Sequence, residues 1–378
     1  MIVNVIETLY TNIDKICIID ELVNYLDIEH LNKDDIINII KKYMVWFCKS
    51  ELRKLDTYFD RGGEVLNKKT LIIAHGDLDG IISAYLAALL SMKYSNYTIK
   101  YTQPFLIGSL KEYLKHFDNI IIVDIAVNNR DPDYTIDFIN ALIESGKKWL
   151  WIDHHSGWDM IYDKIPYEYI NNIVYNMEAV SCAYAVSKYI KTKYLSLWNI
   201  INDDKLKYLV FVANLSDSGK LLDDKLDKID YKELIYMALK SDIKSGKIKA
   251  LIFNTLFGDI DSMLSVCEYA DNYYEVLNNT YKLFESRKRV DNIIIVNATE
   301  VQKFDMTKLF TMCYKESDIV IVIWRLHDKG KDLMTIATKR KDIDLVKVLG
   351  VESGAAFRVT IDFSKEKLEE VIDKLKNL

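Results

Sequence analysis

The hydrophobic positions of this chain change their period along its length. Up to about residue 69 they recur three and four apart, in "IDKICIIDELVNYL" and again in "KDDIINIIKKYMVWFCKSELRKL", the spacing that lines one face of a helix. "DRGGE", Asp60 to Glu64, interrupts that pattern with turn-forming residues. From Thr70 short β-rich runs alternate with helical ones. "TLIIA" predicts a strand and "GIISAYLAALLSMKY" a helix; "YTIKYTQ" predicts a strand and "SLKEYLKHF" a helix. "NIIIVDI" follows as a strand, "DPDYTIDFINALIESG" as a helix with an Asp cap, and "KKWLWIDHH" as a further strand. This rhythm belongs to a parallel sheet covered by helices on both faces.

Residues from roughly 178 to 290 read as mostly helical and include "NLSDSGK". Strands then return in "NIIIVNA", "DIVIVIWRL" and, after a turn at "HDKGKD", "LMTIATKR". A short helix "DIDLVKVLG", a strand "AAFRVTIDF" and a last helix "SKEKLEEVIDKLKNL" complete the pattern, with "SRKRVD" at 286–291 as the expected hinge. The expected fold is therefore α/β. A helical N-terminal extension (1–69) precedes a doubly wound, mostly parallel sheet domain with a helical linker (70–285), and a smaller α/β C-terminal domain follows (286–378). No internal repeat or low-complexity tract is visible.

Length supports that division, because 378 residues exceed what one hydrophobic core usually holds. The apolar runs stop well short of a membrane span, and the N-terminus lacks the basic, apolar, small-residue order of a signal peptide. The expectation is a cytoplasmic protein without membrane contact. Five scattered cysteines, never in a CxxC pair, argue for buried thiols over a disulfide framework or a zinc knuckle. The net charge of −6 argues against coating long nucleic acid by charge alone. From Arg287 onward, however, 18 Lys+Arg face 15 Asp+Glu, a modestly basic end that suits short phosphate-bearing ligands.

The chemistry gathers at three strand ends. "LIIA" runs into His75, Gly76, Asp77, Leu78 and Asp79; "IIIV" into Asp124; "WLWI" into Asp153, His154 and His155. Open α/β sheets bind ligands beyond the carboxyl ends of their strands, so neighbouring strands would bring these endings into one crevice. Taken singly, each Asp is as readily a helix cap and each His a structural residue. Together, imidazole and carboxylate without thiolate suit manganese best, with magnesium and cobalt also accommodated. His75, Asp77, Asp79, Asp124, His154 and Asp217 make six candidate ligands, too many for one ion that keeps an open position. Two ions bridged by a carboxylate would use all six, generate a hydroxide near neutral pH and clamp a phosphoryl group. Phosphoester hydrolysis is the reaction class this implies.

"HGDLDG", "VDIA", "IDHH" and "LSDSG", in this order and spacing, resemble the four motifs of the DHH phosphoesterases, a family of two-metal enzymes that includes RecJ-like exonucleases and nanoRNases. The resemblance implies that His75 and Asp77 hold the first metal, that Asp79, His154 and Asp217 hold the second, and that Asp124 bridges them. It also implies that Asp153 orients the site and that His155 contacts the scissile phosphate. "TKRKDIDLVKVLGVESGAAFRV" resembles the substrate-binding domain of the nuclease-type branch, with Arg340, Gly350, Gly354, Ala355 and Ala356 matching and Arg358 adding a basic group. The branch's run of glycines and its His are replaced by "GVESG", which offers fewer backbone N–H groups to a phosphate. The implied activity is hydrolysis of short single-stranded RNA or DNA by an exonuclease or oligonucleotidase. Cyclic dinucleotides or small phosphorylated nucleotides are a second substrate class, and a non-catalytic replication or repair scaffold is the alternative from another class. The N-terminal helices match no motif; a protein partner or a structural cap fits them equally.

Overall fold

The computed structural model describes residues 32–48, 69–91, 96–195, 204–221, 229–326, 330–351 and 357–376. The helix expected at Ile13 to Leu26 and the break at Asp60 to Glu64 lie outside them. Two compact units divide the chain at Asp271 and Asn272.

The first unit begins with α1 (Lys33–Cys48) and then alternates strand and helix: β1 (Lys69–His75), α2 (Leu78–Ser91), β2 (Asn96–Thr102), α3 (Lys111–Leu114), β3 (Asn119–Val123), α4 (Pro132–Glu144), β4 (Lys148–Asp153), β5 (Ile173–Tyr175) and α5 (Cys182–Lys193). Helices α6 (Asp204–Asp217), α7 (Tyr231–Ser241), α8 (Gly246–Leu256) and α9 (Ile260–Asp271) follow. The sheet has the order β2-β1-β3-β4-β5 with every neighbouring pair parallel.

Side-chain alternation builds its two faces. Leu71 and Ile73 of β1, Ile120 and Ile122 of β3, and Trp149 and Trp151 of β4 form one core with Phe138, Ile139 and Leu142 of α4. Helices α2 and α5 pack on β1 and β4, respectively, and on each other. Full burial of each large aliphatic side chain contributes about 1.5–3 kcal/mol. The sheet is thus doubly wound, as its apolar strands imply.

Two local departures have physical reasons. The helix expected at Ser109 to Phe117 is a 3-10 stretch, Pro104–Leu110, running into the single turn of α3; Pro104 starts the tighter coil one turn early. Strand β5 has only three residues, too few for a periodic signal.

The second unit opens with α10 (Tyr273–Glu285), then β6 (Lys288–Val290), β7 (Ile293–Ala298), α11 (Met306–Cys313), β8 (Ile319–Leu326), β9 (Lys331–Thr338), α12 (Leu345–Leu349), β10 (Arg358–Asp362) and α13 (Lys365–Leu375). Its sheet runs β10-β9-β8-β7-β6, parallel only between β7 and β8. Within the stretch expected as a hinge, β6 forms a hairpin with β7 that turns at Asp291, whose φ is 55°. Helices α12 and α13 cover one face and α10 and α11 the other. Cys182, Cys267 and Cys313 are buried free thiols. Among the described residues no helix is long and apolar enough to cross a membrane.

Candidate metal centre

The strand order 2-1-3-4-5 places its topological switch between β1 and β3, where open α/β sheets form their crevice. His75 ends β1, Asp124 follows β3, and Asp153 ends β4 with His154 and His155 next. The local chain explains each position. Asp77 accepts the Gly80 N–H at 2.9 Å and so caps the start of α2, which leaves its second oxygen for His75. Asp79 lies in the first turn of α2, fully buried, and accepts the N–H groups of Cys182 (2.7 Å) and Ala183 (2.9 Å) at the start of α5. Asp124 has a left-handed backbone, φ 58°, a conformation that costs a non-glycine residue about 1–2 kcal/mol. Its N–H donates to the Ile152 carbonyl and to Cys182 Sγ, both at 3.1 Å, which fixes the bend.

Two ligand groups result. In the first, His75, Asp77 and Asp124 offer ligand atoms within 4.8 Å of one another. His75 Nδ1 is 2.8 Å from Asp77 and 3.9 Å from Asp124, and Nε2 is 2.9 Å from the Gln103 amide oxygen. Burial works to lower the His75 pKa, but the Asp77 carboxylate outweighs it and holds the imidazole at about 9. Burial works against ionisation of Asp77 too, yet His75 and the Gly80 N–H hold it well below the usual carboxylate range.

In the second, Asp79, His154 and Asp217 lie equally close. His154 Nδ1 is 3.2 Å from the Ala179 carbonyl; a carbonyl only accepts, so Nδ1 carries the proton and Nε2 presents its lone pair. Nε2 faces Asp217 at 3.2 Å, Asp124 at 3.5 Å and Asp79 at 3.7 Å. A lone pair aimed at three carboxylates is repulsive, so without a metal ion Nε2 takes up a second proton. Burial opposes charging of His154, but Asp217 and Asp79 raise it to about 9. Burial, with Asp217 and Asp77 adding, lifts Asp79 to about 7. Burial and then Asp79 and Asp77 push Asp124 well above the usual range. Asp124 also joins His154 and His155 in a third group, so it touches every part of the cluster.

Two buried atoms, Asp124 Oδ2 and His154 Nε2, have no hydrogen-bond partner. Buried polar atoms are normally satisfied, and both atoms belong to the candidate ligands. The donor set, oxygen and imidazole nitrogen without thiolate, fits a pair of divalent cations.

Asp153 and His155 form a separate pair beside this cluster. Asp153 is fully buried and accepts from His155 Nδ1 and from the Trp158 indole N–H, each at 2.8 Å. Burial disfavours its charge, but these two donors outweigh that and keep Asp153 below the ordinary range. The His155 ring is 42% exposed, so one edge is held by an anion and the other is open for a ligand.

The structure adds residues that carried no sequence signal. Gln103 reaches His75 because Thr102 pairs in register with it. Asn214 accepts from Ser181 at 2.6 Å, which ties α6 to the cap of α5; Asp217, three residues on, shares that helix face. Lys249 of α8 has its amine 2.6 Å from where a Cβ on Gly76 would stand; burial lowers its pKa, with Asp77 opposing.

The C-terminal candidates fall within the second unit. Arg340 is held by both oxygens of Asp342, at 3.2 and 2.5 Å. Gly350 closes α12 in the left-handed conformation, φ 66°, the usual glycine cap. Arg358 stacks over Phe310 at 5.0 Å, and among the described residues no carboxylate is paired with it. Gly354, Ala355 and Ala356 lie outside the described residues.

Residues 69–211 match the family model described as "DHH family, N-terminal domain". No curated protein matches the sequence. Among solved structures, the fold is similar to PggH, a pGpG-specific phosphodiesterase from Vibrio cholerae, at 14% identity and TM-score 0.52 over 82% of this chain and 98% of that one. It is also similar to RecJ in complex with Mn2+ from Thermus thermophilus, at 13% identity and TM-score 0.56, with 85% of this chain but only 53% of that one covered. An exonuclease RecJ bound to manganese gives 12% identity and TM-score 0.54 over 87% and 94%. Identities this low make these likenesses ones of fold. The family match itself is to the N-terminal domain of the DHH family and covers residues 69–211.

Proposed function

We propose that the chain is a two-metal phosphodiesterase that hydrolyses short single-stranded nucleic acid. The observation that carries this reading is the pair of ligand groups, His75–Asp77 and Asp79–His154–Asp217, joined through Asp124, whose Oδ2 has no partner. In this reading His75 and Asp77 would hold one ion and Asp79, His154 and Asp217 the other, with Asp124 available to both. Mn2+ fits best, with Mg2+ or Co2+ as substitutes. Bound there, such ions supply Lewis-acid activation of water and neutralise charge on the phosphoryl oxygens.

The chain's own residues have distinct tasks. Asp153 keeps one His155 proton on Nδ1 and favours the charged ring, so that Nε2, when protonated, donates to a phosphoryl oxygen. Ala179 holds the His154 ring in the tautomer a ligand needs. Gln103 does the same for His75. Asp79 also fixes the start of α5, so metal position and fold are coupled. In the second unit, Arg358 is the better placed of the two arginines to meet a phosphate, since Arg340 is already held by Asp342.

The test is hydrolysis of a panel, with Mn2+ present or chelated: pGpG, short and long RNA and DNA labelled at either end, a cyclic dinucleotide, and pyrophosphate. Asp124→Ala serves as control. Manganese-dependent cleavage of short linear substrates, lost in the variant, supports the reading. Preference for a cyclic dinucleotide would move the substrate class. No turnover by a folded, metal-loaded protein would remove the enzyme reading and leave the scaffold.

A further inference from the structure

Beside the metal centre, the first unit holds an open groove of about 840 Å³ between the edge strand β5 and helix α5, a volume typical of ligand sites. Helix α5 is two-sided. Cys182, Ala183, Val186 and Ile190 are buried, whereas Lys188, Tyr189 and Thr192, spaced three and four apart, line the groove with the buried Ala185 a turn earlier at its floor. Tyr162, Tyr175, Tyr194 and Lys193 complete its character.

Three features point to the ligand. First, no acidic side chain lines the groove, although the chain as a whole carries −6, and no carboxylate is paired with Lys188 or Lys193 among the described residues. Second, four tyrosines face one space, and the hydroxyl of Tyr175 is buried without a hydrogen-bond partner. Third, the groove starts at the site: Tyr175 pairs in register with Asp153, the Asn176 N–H donates to the Asp153 carbonyl at 3.1 Å, and the Trp158 that holds Asp153 packs its ring 6.2 Å from that of Tyr175. Rings on which bases stack, interleaved with cations for phosphates, are how proteins hold single strands without reading sequence. A peptide added to β5 would have only three residues to pair with.

We propose that this groove is a track for single-stranded nucleic acid, receiving nucleotides beyond the scissile phosphate, with bases on Tyr189 and its neighbouring tyrosines and phosphates on Lys188 and Lys193. The proposal rests on the phosphodiesterase reading for the identity of the ligand. It makes substrate length, and not only the metal centre, a determinant of affinity.

The experiment measures fluorescence anisotropy of the full chain with labelled oligonucleotides from dinucleotide upward, in chelator so that nothing is cleaved. Wild type is compared with Tyr189→Ala, Lys188→Ala and the double variant, whose melting curves check the fold. Wild-type affinity is expected to rise with length. Tyr189→Ala is expected to weaken the longer strands by about 5- to 100-fold, and Lys188→Ala to reduce the salt slope by about 0.7, while dinucleotide hydrolysis with Mn2+ stays unchanged. Variants that bind every length as wild type does overturn the proposal, as does binding that depends on Lys188 but not on Tyr189. If wild type hydrolyses nothing yet binding shows the expected dependence, the catalytic reading falls and the groove stands.

Discussion

Asp79 and Cys182 are separated by 103 residues and joined by a 2.7 Å hydrogen bond from the Cys182 backbone N–H to the Asp79 carboxylate. With the Ala183 N–H on the other oxygen, the carboxylate seats the start of α5 on the start of α2. A candidate metal ligand is therefore also a structural clamp. Asp79→Asn puts an amide NH2 against one of those N–H groups and leaves a buried donor unsatisfied, which costs about 1–3 kcal/mol. The variant should melt lower than wild type even with the metal chelated. Equal stability in chelator would remove the clamp role.

The titration of the cluster predicts how metal binding and stability vary with pH. Without metal, folding raises Asp79 from 3.8 to about 7 and His75 and His154 from 6.5 to about 9. A raised pKa means that the folded state holds a proton the unfolded chain releases. The Asp79 contribution is thus full below about pH 4 and lost as pH rises through 7; the histidine contributions are full below 6.5 and lost through 9. Ligation requires those protons to leave, so Mn2+ affinity and the metal-induced rise in Tm should both grow from pH 6 to pH 9. Calorimetry in buffers of different ionisation enthalpy should show proton release on binding. A metal-induced rise in Tm that shrinks with pH would contradict this.

Trp158 holds the Asp153–His155 pair in place without belonging to the candidate ligand set. Its indole N–H satisfies Asp153, which in turn orients His155. Trp158→Phe keeps most of the ring volume and removes the donor, at a cost of about 1–3 kcal/mol in stability. Loss of such a supporting partner lowers activity by about 10- to 100-fold. The fall is expected in kcat, with Mn2+ stoichiometry unchanged, measured by steady-state kinetics beside metal analysis.

Gly76 and Gly80 make a contrast within one motif. A Cβ on Gly80 would collide with the backbone carbonyl of His75, whereas one on Gly76 would meet only the flexible end of Lys249, at 2.6 Å. Gly80→Ala must push α2 away from β1, at about 1–3 kcal/mol or more, and displace Asp77 and Asp79 with it. Gly76→Ala should change stability by less than about 1 kcal/mol while moving the Lys249 amine. Melting curves and Mn2+ binding on both variants check the difference.

Much of this was legible along the chain because the strands are apolar runs that end abruptly in charge. Leu71 to Ala74 and Ile120 to Val123 give no amphipathic signal but a clear boundary, and the boundaries are where His75 and Asp124 stand. Asp217 was visible only through its motif; what brings it to His154 is the packing of α6 on α2 and α5, with the Ser181–Asn214 bond between them, contacts between distant elements. Gln103, Trp158 and Lys249 left no trace because each is a single polar or aromatic residue whose meaning comes from register or from packing of α8. Periodicity alone extends a helix over Ser109 to Phe117, where the chain enters from a 3-10 coil that begins at Pro104 and keeps one α-helical turn, Lys111–Leu114. The bidentate hold of Asp342 on Arg340 was hidden for the opposite reason: the pair is local, but nothing in the spacing tells a paired arginine from a free one.

In the proposed reading, two cations held in one carboxylate–imidazole cluster act together on a phosphoester. This is tested most directly by titrating Mn2+ into the metal-free full chain and following hydrolysis of a short oligonucleotide against equivalents added. Activity is expected to reach its plateau at two ions per chain, and Asp124→Ala to stay inactive at any Mn2+ concentration. A plateau at one ion, or turnover that persists in Asp124→Ala, would contradict that reading.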